Sequence, residues 1–129
     1  YPAELIPVRL SEIYQIDEAC EWVEKTEKDL LKKDFQGVEE DVESMQQVVD
    51  RGVIGLKKKD QWLALGITLC VIMANEVDGM EWRTLIDGNR EVPVLLNTAT
   101  GQWTDPMKLA WSKVKAGEKV NLAEAYCNA

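Results

Sequence analysis

Thirteen consecutive residues near the middle of the chain, WLALGITLCVIMA from Trp62 to Ala74, contain no charged side chain. A helix that spans a bilayer needs about 20 apolar residues, so this run is too short for that role. It is apolar on almost every side, which predicts a central helix, from Gln61 to Val77 with Asp60 as its N-cap, surrounded by other elements. Gly66 inside this helix costs helix stability, and we expect the close approach of another backbone to compensate.

Upstream of this run, the pattern predicts an extended lead-in, residues 1–10, and two amphipathic helices. The first runs from Glu12 to Lys33 with Ser11 as N-cap, and the second from Val38 to Arg51 with Gly52 as C-terminal cap. In the first helix the predicted buried stripe is Ile13, Ile16, Cys20, Val23 and Leu30, and the predicted solvent face is Asp17, Glu18, Glu21, Glu24, Glu27 and Asp29.

Downstream, the hydrophobic period changes from that of a helix to that of a strand. The new period predicts a hairpin whose two strands are Met80–Ile86 and Glu91–Leu96, and a short third strand at residues 102–104. Asp105-Pro106 predicts a helix start, with the helix reaching Ala116, and Asn121 caps a short last helix. We therefore expect one α+β domain over residues 1–129, in which the N-terminal helices and the central helix pack on a small antiparallel sheet, followed by two short helices.

The charge is unevenly distributed along the chain. The net charge is -8, the first 50 residues contain 14 acidic and 5 basic side chains, and histidine is absent. Such a surface disfavours nucleic acid and anionic membranes as partners. Without histidine, the commonest general base and metal ligand are missing. We therefore expect a non-catalytic protein with no cofactor, no metal and no membrane insertion.

The three cysteines, Cys20, Cys70 and Cys127, are odd in number and lack CxxC spacing. We expect three reduced, mostly buried thiols, with one disulfide plus a free thiol as the alternative. The cytoplasm is the favoured compartment, and the periplasm is the alternative if Tyr1 marks a signal-peptide cleavage site.

Two features, the acidic helices and two tryptophans, indicate which residues could bind a partner. The acidic helices present Glu18, Glu21, Glu40 and Glu43, which can attract a basic protein partner, although the same charges can serve solubility alone. Trp103 in a turn-rich segment and Trp22 beside the acids are candidate anchors, because tryptophan is enriched among interface hot spots. If the acids only aid solubility, the binding face lies instead on the sheet and C-terminal helices, around Arg83, Arg90 and Trp111.

Several short motifs in the second half resemble a small bacterial family known as a domain of unknown function. The motifs are Leu65-Gly66, Glu81-Trp82, Asp87-Gly88, Ser112-Lys113, and Gly117-Glu118 followed by Glu124 and Tyr126. The resemblance covers roughly residues 62–126 and departs at Asn89-Arg90, where a longer turn is expected. It implies an α+β fold and a bacterial source, and no activity.

By size and charge the chain is similar to bacterial immunity proteins, which neutralise toxins. We therefore expect an immunity-type inhibitor whose acidic helical face occludes a cationic cleft of a toxin. The alternative is a structural or accessory module of an envelope or secretion assembly. A hydrolase with a carboxylate pair ranks last, because no base, nucleophile or metal set stands out. The pattern says nothing of the oligomeric state.

Overall fold

The computed structural model describes residues 3–129, so Tyr1 and Pro2 of the predicted lead-in lie outside the described residues. Helices pack on one antiparallel sheet, which confirms the predicted α+β class. The elements in chain order are β1 (Glu4–Pro7), α1 (Leu10–Leu31), α2 (Asp41–Asp50), α3 (Lys59–Glu76), β2 (Met80–Asp87), β3 (Arg90–Asn97), β4 (Trp103–Thr104), a 3₁₀ turn (Pro106–Lys108), α4 (Trp111–Lys115) and α5 (Leu122–Asn128).

The sheet has four strands in the order β1-β2-β3-β4, each antiparallel to its neighbour. The β2–β3 hairpin and β4 follow the prediction. The lead-in is more than an extended segment: Glu4–Pro7 pairs with β2, with Leu5 opposite Leu85. The strand has only four paired residues, too few to show an alternation, and one of them is Pro7, which an edge strand tolerates.

Helix α3 forms the centre of the core, as its composition predicts. Leu69 and Ile72 are fully buried, and Trp62, Leu65 and Met73 are nearly so. A Cβ atom on Gly66 would lie 2.1 Å from the carbonyl oxygen of Pro106, so the predicted close backbone approach is present. The helix begins at Lys59 with Lys58 at the N-cap, so Asp60 does not cap it.

The start of α1 is tied to the sheet through a buried carboxylate, Glu12. Its oxygens accept hydrogen bonds from Arg9 Nε (2.6 Å), Ser11 Oγ (2.5 Å) and Thr84 Oγ1 of β2 (2.8 Å). The Arg9 interaction is the main reason that the pKa of Glu12 falls to about 2. The prediction of Ser11 as N-cap was wrong: Arg9 occupies the N-cap, and the hydroxyl of Ser11 serves Glu12 instead.

Two predicted buried and exposed positions of α1 are reversed. Ile13, predicted in the buried stripe, is 40% exposed, because the buried stripe runs through Glu12, Ile16, Ala19, Val23 and Glu27. Glu27, predicted on the solvent face, is fully buried, and neither of its carboxylate oxygens has a hydrogen-bond partner within residues 3–129. Burial, reinforced by the nearby charge of Asp41, raises the pKa of Glu27 to about 7.

Three helix boundaries also differ from the prediction. Helix α1 ends at Leu31, where Lys32 adopts the left-handed conformation, and α2 begins only at Asp41. The carboxylate of Asp41 accepts hydrogen bonds from the backbone of Gln36 and Val38, which holds the preceding residues in a turn. The helix predicted from Asp105-Pro106 to Ala116 is divided into the 3₁₀ turn and α4, because buried Leu109 and Ala110 interrupt it.

The cysteines are free thiols with different environments. Cys70 is buried in α3, Cys20 is half-buried and Cys127 is exposed on α5, so the expectation that they are mostly buried holds fully only for Cys70. Burial raises the pKa of the Cys20 thiol. The hydroxyl of Thr68 on α3 donates a hydrogen bond to the sulfur of Cys20 on α1, with 3.9 Å between Oγ1 and Sγ. Within residues 3–129, no helix combines the length and the apolar character needed to cross a membrane.

Candidate functional site

The exposed side of α1 carries an acidic face, which we define as Asp17, Glu18, Glu21 and Glu24. All four side chains are exposed, and none forms a salt bridge with another residue in the described part of the chain. Tyr14 is 59% exposed and lies three and four residues before Asp17 and Glu18, hence on the same side of the helix. The acidic face therefore has an aromatic ring at its edge and carries four carboxylates that belong to no ion pair within residues 3–129.

A groove of about 290 Å³ separates α1 from the first turns of α3, and we call it the α1–α3 groove. It brings together two of the predicted binding residues, Glu18 and Trp22, and adds Asp60 from α3. The groove exists because small residues, Ala19 and Ala64, face each other where the two helices pack. The remaining lining residues are Gln15, Gln61, Leu63 and Ile67.

Trp22 is half-buried and packs against two groups of buried residues, the main core around Leu69 and a smaller cluster of Ile16, Ala19, Ala64 and Ile67. We predicted it to lie off the apolar stripe beside Glu18 and Glu21. The structure instead places it between the core and the groove, which holds its ring in position. Glu21 does not line this groove but a different one along α1, of about 460 Å³, whose lining combines acids with Lys25, Lys28 and Lys33.

The other predicted acids lie on a different element. Glu40 immediately precedes α2 and Glu43 is in its first turn, and both are exposed. Neither lines any of the three grooves described here. Negative charge at this end of α2 favours the helix through its dipole, which gives these acids a structural role as well.

Trp103, 39% exposed, belongs to a third and larger groove of about 940 Å³ between the β3–β4 end of the sheet and the C-terminal helices. Its charged lining includes Lys108, Lys113 and Lys119 beside Glu118 and Glu124. Trp103 therefore does not share a surface with Trp22 and the acidic face. The alternative binding face was predicted around Arg83, Arg90 and Trp111. Arg83 forms an ion pair with Glu81, Arg90 forms one with buried Asp105, and Trp111 is half-buried.

Two members of the site were not predicted from the sequence, Tyr14 and Asp60. Tyr14 could have been found, because it lies off the apolar stripe and four residues before Glu18. Asp60 was interpreted as a helix cap, and only the packing of α3 against α1 shows that it lines the same groove as Glu18.

The carboxylates whose charges interact inside the fold, Glu27 and Asp41, are unsuited to hydrolysis of a substrate. Both are buried, and neither lines any of the three grooves. A general acid must come within hydrogen-bond reach of its substrate. The geometry therefore gives this pair no access to one.

A crystal structure of a protein from Bacteroides thetaiotaomicron VPI-5482 is similar to this chain, with 70% sequence identity and a TM-score of 0.96. The match covers 99% of this chain and 47% of that chain, so this chain spans less than half the length of its neighbour. The bacterial neighbour agrees with the predicted bacterial source. The comparison with curated proteins found no match.

The model of one protein family matches residues 41–126, which is more than half of the chain. This segment begins at α2 and includes the region in which the sequence motifs indicated a resemblance. Helix α1 and its acidic face precede the matched segment. The chain belongs to the family described as "Domain of unknown function (DUF3806)".

Proposed function

We propose that this protein is a non-catalytic binding domain whose acidic face on α1 receives a basic protein partner. The observation that carries the proposal is the set of four exposed acids without ion-pair partners in the described chain, next to a groove that contains Trp22.

Electrostatics supports a role in association. The first 50 residues hold 14 acids against 5 bases, whereas the remaining residues hold 9 acids and 10 bases. A field of one sign on one side of a protein steers an oppositely charged partner and raises the association rate. Glu40 and Glu43 extend this field along α2 without belonging to the same contact surface.

Short-range contacts support a role in holding the partner. Leu10, Ile13 and Tyr14 are large side chains exposed at the start of α1, beside the acidic face. Exposed apolar and aromatic side chains that cluster next to a groove are typical of interaction surfaces. Trp22 contributes a ring that is already fixed by the core, so little entropy is lost on binding.

The most concrete form of this function is a bacterial immunity-type inhibitor that occludes a cationic cleft of a toxin. We place the complex in the cytoplasm, where three free thiols remain reduced. A second candidate is an accessory module of an envelope or secretion assembly. One observation supports it, namely that this chain matches 47% of a longer bacterial protein.

Growth rescue tests the proposal. The neighbouring reading frame of the source genome is expressed with and without this protein in a bacterial host, and growth is recorded. An immunity protein restores growth, and reversal of Glu18 and Glu21 to lysine weakens the rescue. Reversal of Asp78 and Asp87 is the matched control, because both are exposed acids outside α1 with no ion pair within residues 3–129.

The outcomes separate the candidates. If growth rescue is lost with the Glu18 and Glu21 reversals and kept with the Asp78 and Asp87 reversals, the result supports the immunity-type inhibitor. A non-toxic neighbour that still binds through α1 supports the accessory module and contradicts the toxin. Binding or rescue that is equally insensitive to both pairs of reversals contradicts the acidic face itself.

A further inference from the structure

We infer that the α1–α3 groove is a recognition pocket for one arginine side chain of the partner. The inference rests on the proposed function only in that the partner is basic, and it adds which basic residue is selected and where it is held. The pocket of about 290 Å³ lies at the lower end of the range for small-ligand sites, a size that suits a single long side chain.

The polar groups around the groove have unused hydrogen-bonding capacity. Within residues 3–129, the carboxylates of Glu18 and Asp60 form no salt bridge, and the indole N–H of Trp22 donates no hydrogen bond. This contrasts with Trp62, whose indole nitrogen donates to the carbonyl oxygen of Gly55 at 2.9 Å. The groove therefore offers two acceptor groups on different helices, each able to receive N–H donors from a ligand.

The base of the groove is apolar. Ala19, Ala64 and Ile67 are buried beneath it, and the half-buried ring of Trp22 forms one wall. A side chain with an aliphatic stem and a charged end matches this arrangement, because the stem can cover the apolar base while the charge reaches the carboxylates. Both lysine and arginine have such stems.

The aromatic wall and the paired acceptors favour arginine over lysine. A guanidinium is planar, stacks on an indole face and has five N–H donors in a fixed fork, so it can contact Trp22, Glu18 and Asp60 together. An ammonium is a compact point charge that is more strongly hydrated and lacks a flat face. The geometry thus selects guanidinium among the basic groups of proteins.

Titration with short peptides tests this pocket in the whole chain. The probe is acetyl-Gly-Arg-Gly-amide, with the lysine and citrulline peptides as comparisons, and the readout is the set of five tryptophan indole N–H resonances in NMR. The resonance assigned to Trp22, identified by its loss in Trp22→Phe, should shift with the arginine peptide. Citrulline has nearly the same shape without charge, so it isolates the ionic contribution.

The expected affinity is weak, about 1 mM, since one side chain carries the interaction. The double variant Glu18→Gln/Asp60→Asn should weaken arginine binding about tenfold or more. The matched control, Asp78→Asn/Asp87→Asn, should leave it unchanged. The other four indole resonances report whether each variant keeps its fold.

Equal shifts with the arginine, lysine and citrulline peptides would overturn the pocket, as would shifts confined to other tryptophans. A neutralised pocket that binds arginine as well as the native one would also overturn it. None of these results would decide the proposed function, because a salt-dependent association through the acidic face does not require arginine selection.

Discussion

The buried carboxylate of Glu27 should make the stability of the domain fall as the pH rises. Its pKa is about 7 in the folded protein, against 4.5 for a glutamate exposed to water, chiefly because burial penalises the charged form. A carboxyl group whose pKa is raised by folding stabilises fully only below the unfolded pKa. Its contribution is then lost progressively from about pH 4.5 to about pH 7.

The size of this loss follows from the two pKa values. At about 1.4 kcal/mol for each tenfold change, the upper value is about 3.5 kcal/mol, and relaxation of the protein around the charged carboxylate reduces it to about 2–3 kcal/mol. Two groups near the carboxylate set the balance. The charge of Asp41 on α2 raises the pKa, and the charge of Lys33, in the segment after α1, lowers it.

Urea unfolding of Glu27→Gln measures this contribution. We expect the free energy of unfolding of the native protein to fall by about 2–3 kcal/mol relative to the variant between pH 4.5 and pH 8. Glu24→Gln, an exposed acid on the same helix, should run parallel to the native protein. If the native protein and Glu27→Gln also run parallel across this range, the pKa of Glu27 is not raised in the folded protein.

Three further variants test the packing and the anchoring of α1. Leu69→Ala, at a fully buried position in α3, should lower the free energy of unfolding by about 2–5 kcal/mol in denaturant titration. Gly66→Ala should lower the melting temperature despite the better helix propensity of alanine, because the new Cβ would lie 2.1 Å from the Pro106 carbonyl oxygen. Glu12 has a pKa of about 2, so its contribution is present above about pH 4.5 and is lost as the pH falls towards 2. Glu12→Gln should therefore flatten the acid side of the stability profile, and a profile unchanged by it would contradict the role of the Arg9 ion pair.

Much of the fold could be predicted because local signals and tertiary packing agree there. The apolar run around Leu69, the hairpin turn Asp87-Gly88 and the capping residues Asp105 and Asn121 all act where their patterns indicate. The close approach at Gly66 could also be inferred, since a glycine in a buried helix needs a packing reason.

Positions that depend on partners far along the chain could not be predicted. Glu27 has the spacing of a solvent-facing acid, and only the packing of the helices around it buries the carboxylate. The pairing of β1 with β2 joins residues almost 80 positions apart, and four residues give too short an alternation to show a strand. The same reason explains why only part of the candidate site could be predicted. Glu18 and Trp22 are close in sequence and were predicted, whereas Asp60 comes near them only through the packing of α1 on α3.

The association rate with the product of the neighbouring reading frame, measured across a salt series, tests the acidic face most directly. The screening length falls from about 10 Å at 0.1 M salt to about 3 Å at 1 M. We predict that the association rate of the native protein drops steeply with salt while dissociation changes little, and that reversal of Glu18 and Glu21 slows association as salt does. Reversal of Asp78 and Asp87 should have a much smaller effect. An association rate indifferent to salt and to the α1 reversals would contradict the account, and the acids of α1 would then serve solubility alone.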